Sequence, residues 1–287
     1  MPYRYLYRSA VVAAATVSVL LPGASAQGAD PPRYETYYST FTRGAQQIPW
    51  LDTTPYVPQG LAHLPELDAL VVSYYDDGGG NARAAIVDTA TSALIKTVVF
   101  DDVGHVQALA TSARHLWLAT TSGGNKKIVR YRRSDIVAAA PGAQIRRDKD
   151  YVLAANSFVE IFGNKMYVGT YVVDDNGRAY RYTLNAAEDP VYDNYSFDIP
   201  SNVQGLAVTP THFIWSRSNG RDNDSSIATN RHGEALLRTI TAPNMSEDLA
   251  IADGRVFVVY ESAALKYSDA DYQVRTIHRA QLSALIP

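Results

Sequence analysis

The segment NVQGLAVTPTHFIWSRS, Asn202–Ser218, contains the phrase Gln-Gly-Leu-Ala, which also occurs in PQGLAHLPELDALVVSYYD, Pro58–Asp76. In both places the phrase begins a short apolar run, and a polar turn and a second apolar run follow. Two short apolar runs joined by a turn are the pattern of a β-hairpin. Because the same hairpin recurs far along the chain, the sequence predicts a fold built from repeated units.

Three further segments align with these two: VQALATSARHLWLATTS from Val106, NSFVEIFGNKMYVGTYV from Asn156 and SEDLAIADGRVFVVYES from Ser246. The aligned apolar positions recur at steps of 48, 50, 47 and 43 residues, and they are Leu61, Leu109, Val159, Leu206 and Leu249. A third predicted strand follows each hairpin, and a fourth follows in the first four units. Each unit therefore has the length and strand content of a propeller blade.

The predicted fold is all-β, a five-bladed β-propeller. The fifth unit lacks one strand, and the segment YETYYSTFTRGAQQIP, residues 34–49, has strand character without a repeat of its own. We therefore expect this N-terminal strand to complete the last blade and close the ring, which removes exposed sheet edges. A six-bladed ring with a degenerate blade from residues 30–57 and a β-sandwich are the alternatives. Runs such as VFVVY, apolar at every position, favour stacked blades over a sandwich.

The N-terminus predicts secretion. Arginines in MPYRYLYR precede an apolar run, and Ala24–Ala26 has the small-x-small form of a cleavage site. The run is shorter than the roughly 20 residues that a membrane span needs. We predict a signal peptide at residues 1–26, a single propeller domain at residues 27–287, and a secreted, extracellular product.

Composition excludes several classes of partner. The formal net charge is −3, whereas nucleic-acid binding needs a concentrated basic face. The basic clusters RYRRSD and QIRRDKD are interpreted as solvated strand edges. No second apolar stretch could cross a membrane, and we expect a monomer. Without cysteine, stability must come from the core.

A propeller brings the beginnings of its inner strands and the ends of its second strands to one face, the mouth of the central channel. The first column of residues holds Gln59, Gln107, Ser157, Gln204 and Glu247, with His105 nearby. The second column holds Tyr74, Thr120, Thr170, Arg217 and Tyr260, followed by Tyr75, Thr121, Tyr171, Ser218 and Glu261. We predict ligand binding by Gln59, Tyr74, Tyr75, Gln107, Tyr171, Gln204, Arg217, Tyr260 and Glu261. The alternative is that these side chains hold the blades together.

Catalytic chemistry is less well supported. Glu247, Asp248 and His105 are the candidate catalytic residues. Glu247 and Asp248 are adjacent, although glycoside hydrolysis needs two carboxylates that face each other across a bond. No cysteine and no G-x-S-x-G elbow is present. The histidines lack metal-ligand spacing, so we expect no metal site and no cofactor. The loops DDGGGN, DDNG and RDNDSS leave Ca²⁺ as a weak alternative to simple turns.

The pattern formed by PQGLA, LVVSYYD and AAIVDTATSALIKTV resembles small secreted bacterial five-bladed propeller proteins without an agreed function. The resemblance covers roughly Tyr56 to Leu285. It implies the fold and secretion and transfers no catalytic residue. Arabinanase- and invertase-type hydrolases and lectin-type propellers are similar in architecture only, since Gln59 stands where those hydrolases carry an acid.

The sequence therefore predicts a secreted propeller that binds a small molecule or a glycan, with a hydroxyl-rich ligand at one asymmetric site at the channel mouth. Two alternatives stay open. One is a polysaccharide hydrolase or lyase with Glu247 or Asp248 catalytic. The other is a protein-interaction scaffold in the envelope.

Overall fold

The computed structural model describes residues 30–102, 104–122 and 124–286. The chain divides into two compact units, residues 1–31 and 32–287, and of the first unit only Asp30 and Pro31 are described. The predicted signal peptide lies outside the described residues. Within them, none of the helices has the length and apolar character to cross a membrane.

Before the first blade lie helix α1 (Glu35–Thr40) and strand β1 (Thr42–Gln47). Blade 1 contains β2 (Tyr56–Leu64), β3 (Ala69–Asp76), β4 (Arg83–Asp88) and β5 (Leu94–Phe100). Blade 2 contains β6 (His105–Thr111), β7 (His115–Ser122) and β8 (Asn125–Arg132). Helix α2 (Arg133–Ala138) and strand β9 (Ala143–Ile145) follow, and β10 (Lys149–Tyr151) is the fourth strand of blade 2. Strand β9 pairs in parallel with β5 of blade 1, an addition that the repeat did not predict.

Blade 3 contains β11 (Phe158–Phe162), β12 (Lys165–Gly169), β13 (Gly177–Leu184) and β14 (Pro190–Ile199). Blade 4 contains β15 (Val203–Val208), β16 (His212–Arg217), β17 (Ser225–Arg231) and β18 (Arg238–Ala242). Blade 5 contains β19 (Ser246–Ala252), β20 (Arg255–Tyr260) and β21 (Thr276–Gln281), and β1 is its fourth strand. Short 3-10 helices cover Pro32–Tyr34, Pro65–Leu67, Leu265–Tyr267 and Leu282–Ala284.

The inner strands β2, β6, β11, β15 and β19 are neighbours in that order, and β19 returns to β2. Strand β1 pairs antiparallel with β21 through Thr42–Arg279 and Arg43–His278. The five-bladed propeller and its N-terminal closing strand are thus confirmed. Residues 30–57 form no sixth blade.

The N-terminal segment differs from the prediction in one respect, because its first half is helical. Tyr34, Tyr37 and Phe41 are fully buried, and their spacing places them on one face of α1 and its flanks. These rings pack with Tyr260 and Val258 of blade 5. The sequence predicts a strand over residues 34–49, but the spacing of these aromatic residues is that of a helix, and only the second half of the segment forms a strand.

Each blade is buried on both faces. Val71 and Tyr75 belong to one core cluster, whereas Val72 and Tyr74 on the same strand belong to another. Successive strand residues point to opposite faces, and each face packs against a neighbouring blade. This explains why strands such as β3 are apolar throughout.

The Gln-Gly-Leu-Ala phrase marks a β-bulge. The register shifts between Pro58 and Leu61 in β2 and between Val203 and Gly205 in β15. Similar shifts occur in β6 and β19, so four of the five inner strands carry an extra residue at this position. A Cβ on Gly60 would lie 2.8 Å from the Leu109 nitrogen of blade 2. Glycine at this position therefore lets the crowded inner strands approach each other.

Candidate functional site

Two glutamates from blade 5 meet at the channel mouth. Glu247 lies in the bulge of β19, and Glu261 directly follows β20. Their carboxyl groups are hydrogen-bonded to each other, and the residues are only 4% and 9% exposed. Glu261 is one of the residues of the second column, so the structure brings the two predicted columns together here.

This pair carries an unusual proton. Burial raises the pKa of Glu247 well above its ordinary value, and the neighbouring Glu261 raises it further. Burial also raises the pKa of Glu261 to about 7, although hydrogen bonds from Glu247 and Gln59 oppose that rise. Two buried carboxylates in contact do not both ionise, so Glu247, whose pKa is raised the further, is the member of the pair that holds a proton at neutral pH.

Amides from blades 1 and 4 donate hydrogen bonds to the pair. Gln59 donates from Nε2 to Glu261 Oε2 at 2.6 Å, and Gln204 donates from Nε2 to Glu247 Oε1 at 3.3 Å. The Oε1 atom of Gln107, which occupies the same column, is buried and accepts no hydrogen bond from the described residues. The first column thus places donors and acceptors from several blades around one point.

Aromatic and cationic side chains form the next layer. Tyr75 stacks on His105 with ring centroids 4.3 Å apart, and its hydroxyl lies 3.0 Å from Lys266 Nζ. Lys266 also pairs with Asp77 at 2.6 Å. Desolvation lowers the pKa of His105, and the charge of Lys266 lowers it further, so the imidazole is neutral at pH 7. This layer therefore contributes the Lys266 ammonium as a cation and the His105 imidazole as a neutral ring.

Two tyrosines complete the mouth. Tyr267 hydrogen-bonds Glu261 and Tyr75, and Tyr171 of blade 3 donates to the Ser218 carbonyl at 3.1 Å. Lys266 and Tyr267 belong to the loop after β20, which lies outside the repeated unit. Sequence reasoning missed both for that reason.

Three predicted ligand residues lie elsewhere. Tyr74 is buried within the core between blades, where Trp50 packs at 5.2 Å. Tyr260 donates to the Tyr37 hydroxyl at 2.6 Å on the side of blade 5 that faces α1. Arg217 is held by Ser201 and lines a groove between blades 3 and 4.

Asp248 has a different environment from Glu247. Its Oδ2 accepts from the backbone nitrogens of Leu61 and Leu109, both at 2.9 Å, and its Oδ1 accepts from Leu249 at 2.9 Å. Asp248 therefore binds backbone N–H groups on the buried inner strands of blades 1, 2 and 5. Burial raises its pKa to about 8, against the effect of these N–H groups.

Glu160 complements Asp248 lower in the channel. Burial raises the pKa of Glu160 well above its ordinary value and Asp248 adds to the rise, while the N–H groups of Ile161 and Val208 oppose it. Between them, the two acids interact with backbone N–H groups of all five inner strands. Their hydrogen bonds favour a structural role for Asp248 and leave Glu247 as the better candidate for chemistry.

The acidic loops serve as turns. The Asp76 carboxylate accepts from the Gly78 nitrogen at 2.8 Å, and Asp175 accepts from Asn176 at 2.7 Å. Across the described ranges, no group of three or more His, Cys, Asp or Glu side chains has the arrangement of a metal site.

No family model and no curated protein matches the chain. The chain is similar to several solved structures at low sequence identity. One is the PQQ-bound aldose sugar dehydrogenase from Streptomyces coelicolor, with 14% identity over 83% of this chain and 99% of that chain, at a TM-score of 0.48. Another is a GH43_1 enzyme from Xanthomonas citri, with 12% identity over 82% and 90% of the two chains, at a TM-score of 0.47.

Proposed function

We propose that the protein is a secreted propeller that binds a hydroxyl-rich ligand, with glycans as the ligand class, at the channel mouth. The observation that carries the proposal is the cluster around Glu247 and Glu261. It combines a protonated carboxyl group, two amides, a cation and tyrosine rings within one contact network.

Such a cluster suits sugar hydroxyls, because each hydroxyl both donates and accepts a hydrogen bond. Glu261 and the amide oxygens are acceptors, while Lys266, Gln59 and Gln204 are donors. Tyr171, which is partly exposed, supplies flat apolar surface beside them. Blade 5 alone provides Glu247, Glu261 and Lys266, which makes the site asymmetric and favours one ligand rather than five.

A glycan array followed by calorimetry tests this proposal. Gln204→Ala removes an amide that donates to Glu247, and we expect an affinity loss of about tenfold for the best array ligand. Gln144→Ala is the matched control, because Gln144 lies exposed on β9 at the outer edge of blade 1. Equal affinity of the Gln204→Ala protein and the unaltered protein would refute the site.

A second candidate is a polysaccharide hydrolase or lyase, and one observation favours it. The pKa of about 7 at Glu261 is near the value at which a group serves as acid or base at neutral pH. However, the two carboxyl groups are in direct contact, whereas glycosidases separate theirs by about 5.5 Å or about 6.5–9.5 Å. The contact therefore argues against the two standard glycosidase geometries.

A polysaccharide panel separates the enzyme from the binder. An enzyme of this site must turn over a substrate, and Glu247→Gln must abolish that turnover because the amide cannot deliver the proton. Glu35→Gln, on α1 at the protein surface, is the control. Turnover that survives Glu247→Gln would exclude Glu247 from the mechanism, and no turnover on any substrate would leave binding as the function.

A further inference from the structure

A cavity lies between blades 3 and 4. It has a volume of about 640 Å³, which is within the range of small-molecule sites. Its walls come from β12, β13 and β14 of blade 3 and from β16 and β17 of blade 4. It extends from Arg217 at the mouth face to the loop at residues 233–236, which joins β17 to β18 at the opposite face.

Aromatic rings line this groove in a continuous series. Tyr195 and Phe197 have centroids 5.7 Å apart, and Phe197 stacks on Phe213 at 5.3 Å with planes 12° apart. Trp215 lies 5.2 Å from Phe213 and is buried at the bottom. Tyr195 is 43% exposed at the entrance. The series therefore leads from solvent to the interior.

Charged and polar groups stand along the edges of these rings. The Arg217 guanidinium is fixed by the Ser201 carbonyl at 2.9 Å and the Ser201 hydroxyl at 3.1 Å. Arg181 lies 4.4 Å above the Tyr195 ring and is held by Asp193 at 2.7 Å. Asp198, at the end of β14, also lines the groove. Fixed donors and an acceptor thus border an aromatic floor.

We propose that this groove is a second binding site and that its ligand is an oligosaccharide. A sugar ring has apolar C–H faces and a rim of hydroxyls, and it needs flat rings below and directional polar groups at the edge. A purely apolar ligand would displace water from Arg181, Arg217 and Asp198 without offering these groups a hydrogen bond of its own. The groove shares no lining residue with the Glu247–Glu261 cluster, so it does not depend on the function proposed for the mouth.

Two tyrosines of β14 provide a matched test. Tyr195 lines the groove, whereas Tyr192 packs on Tyr182 at 5.3 Å and does not line it. The two residues are 43% and 42% exposed, so replacement by alanine perturbs the fold equally little. Cellotetraose, xylotetraose and mannotetraose serve as probes in isothermal calorimetry, with phenol as the plain aromatic competitor.

We expect at least one tetraose to bind and Tyr195→Ala to weaken it about tenfold, the loss of one stacked ring. Tyr192→Ala and the mouth variant Gln204→Ala should leave that affinity unchanged. Failure of all three tetraoses to bind, equal losses in both tyrosine variants, or tighter binding of phenol would overturn the proposal. A loss in Gln204→Ala alone would assign the binding to the mouth and would equally overturn the groove.

Discussion

A Cβ atom on Gly205 would lie 2.7 Å from the Cα of Asp248 and 2.8 Å from its Oδ1. Gly205 of blade 4 and Asp248 of blade 5 occupy the same position of the repeat, directly after the glutamine column. Blade 4 therefore keeps glycine so that blade 5 can place a carboxylate at the axis. The repeated glycine of blade 4 and the aspartate that replaces it in blade 5 therefore pack directly against each other.

Gly205→Ala tests this fit. The added methyl has to displace backbone atoms, so we expect a loss of about 1–3 kcal/mol in the free energy of unfolding. Urea denaturation measures it. Gly78→Ala is the control, because the nearest contacts of its new methyl would be side chains, Asp76 at 3.0 Å and Pro55 at 3.8 Å. Equal stability of the two variants would contradict the tight approach.

Stability should fall as the pH rises from about 5 to 8. The pKa values of Glu160, Glu247, Asp248 and Glu261 are all raised by burial, so the folded chain binds more protons than the unfolded chain in this window. The interacting Glu247–Glu261 pair, in which the pKa of Glu261 is raised to about 7, accounts for on the order of 3 kcal/mol. That corresponds to a melting temperature roughly 5–10 °C lower at pH 8.

Thermal unfolding at a series of pH values checks this slope. Glu247→Gln should flatten it, because that variant removes one of the titrating groups. Below about pH 4 the trend reverses through acids such as Glu188, where burial raises the pKa but hydrogen bonds from Ser112 and His115 outweigh it. A melting temperature that rises between pH 5 and 8 would be incompatible with buried neutral acids.

Two tyrosines at equivalent ends of second strands should respond in opposite ways to loss of the hydroxyl. The Tyr74 hydroxyl is buried and finds no hydrogen-bond partner in the described part of the chain. Tyr74→Phe should therefore be neutral or stabilise by up to about 1 kcal/mol. Tyr260→Phe should cost about 1–2 kcal/mol, since it breaks the bond to Tyr37, whose hydroxyl also lies 2.9 Å from His278 Nδ1.

Denaturant unfolding of both phenylalanine variants gives the comparison. A similar loss in both would mean that Tyr74 has a hydrogen-bond partner, such as water. No loss in Tyr260→Phe would mean that the closure of blade 5 does not depend on this contact.

Secretion is tested by the N-terminus of the product. Expression of the full chain in a bacterial host should yield an exported protein that begins at Gln27. The intact mass and the N-terminal peptide, both measured by mass spectrometry, check this. Replacing Ala26 with Asp should block cleavage, because signal peptidase needs a small residue there. An intact N-terminus on cytoplasmic protein would contradict the signal peptide.

The repeat predicted the blades well because strand pairs leave a periodic apolar pattern. It also predicted the closing strand, since blade 5 lacks one in sequence. It could not tell Tyr74 from Tyr75, because these neighbours differ only in the blade face to which each points. It also could not find Lys266 or the partner of Tyr260, as both depend on contacts that have no counterpart in other blades.

The pairing of β1 with β21 joins residues that are 229 to 237 positions apart, from Gln47–Thr276 to Thr42–Arg279. Blade 5 is therefore incomplete until nearly the whole chain has been synthesised. Contacts between distant segments form slowly, so a nascent chain stays open and unclosed while its blades emerge one by one. Because the ring closes only when β1 pairs with β21, closure comes late. Until then the chain is open, which is the form in which a polypeptide can be transported across a membrane.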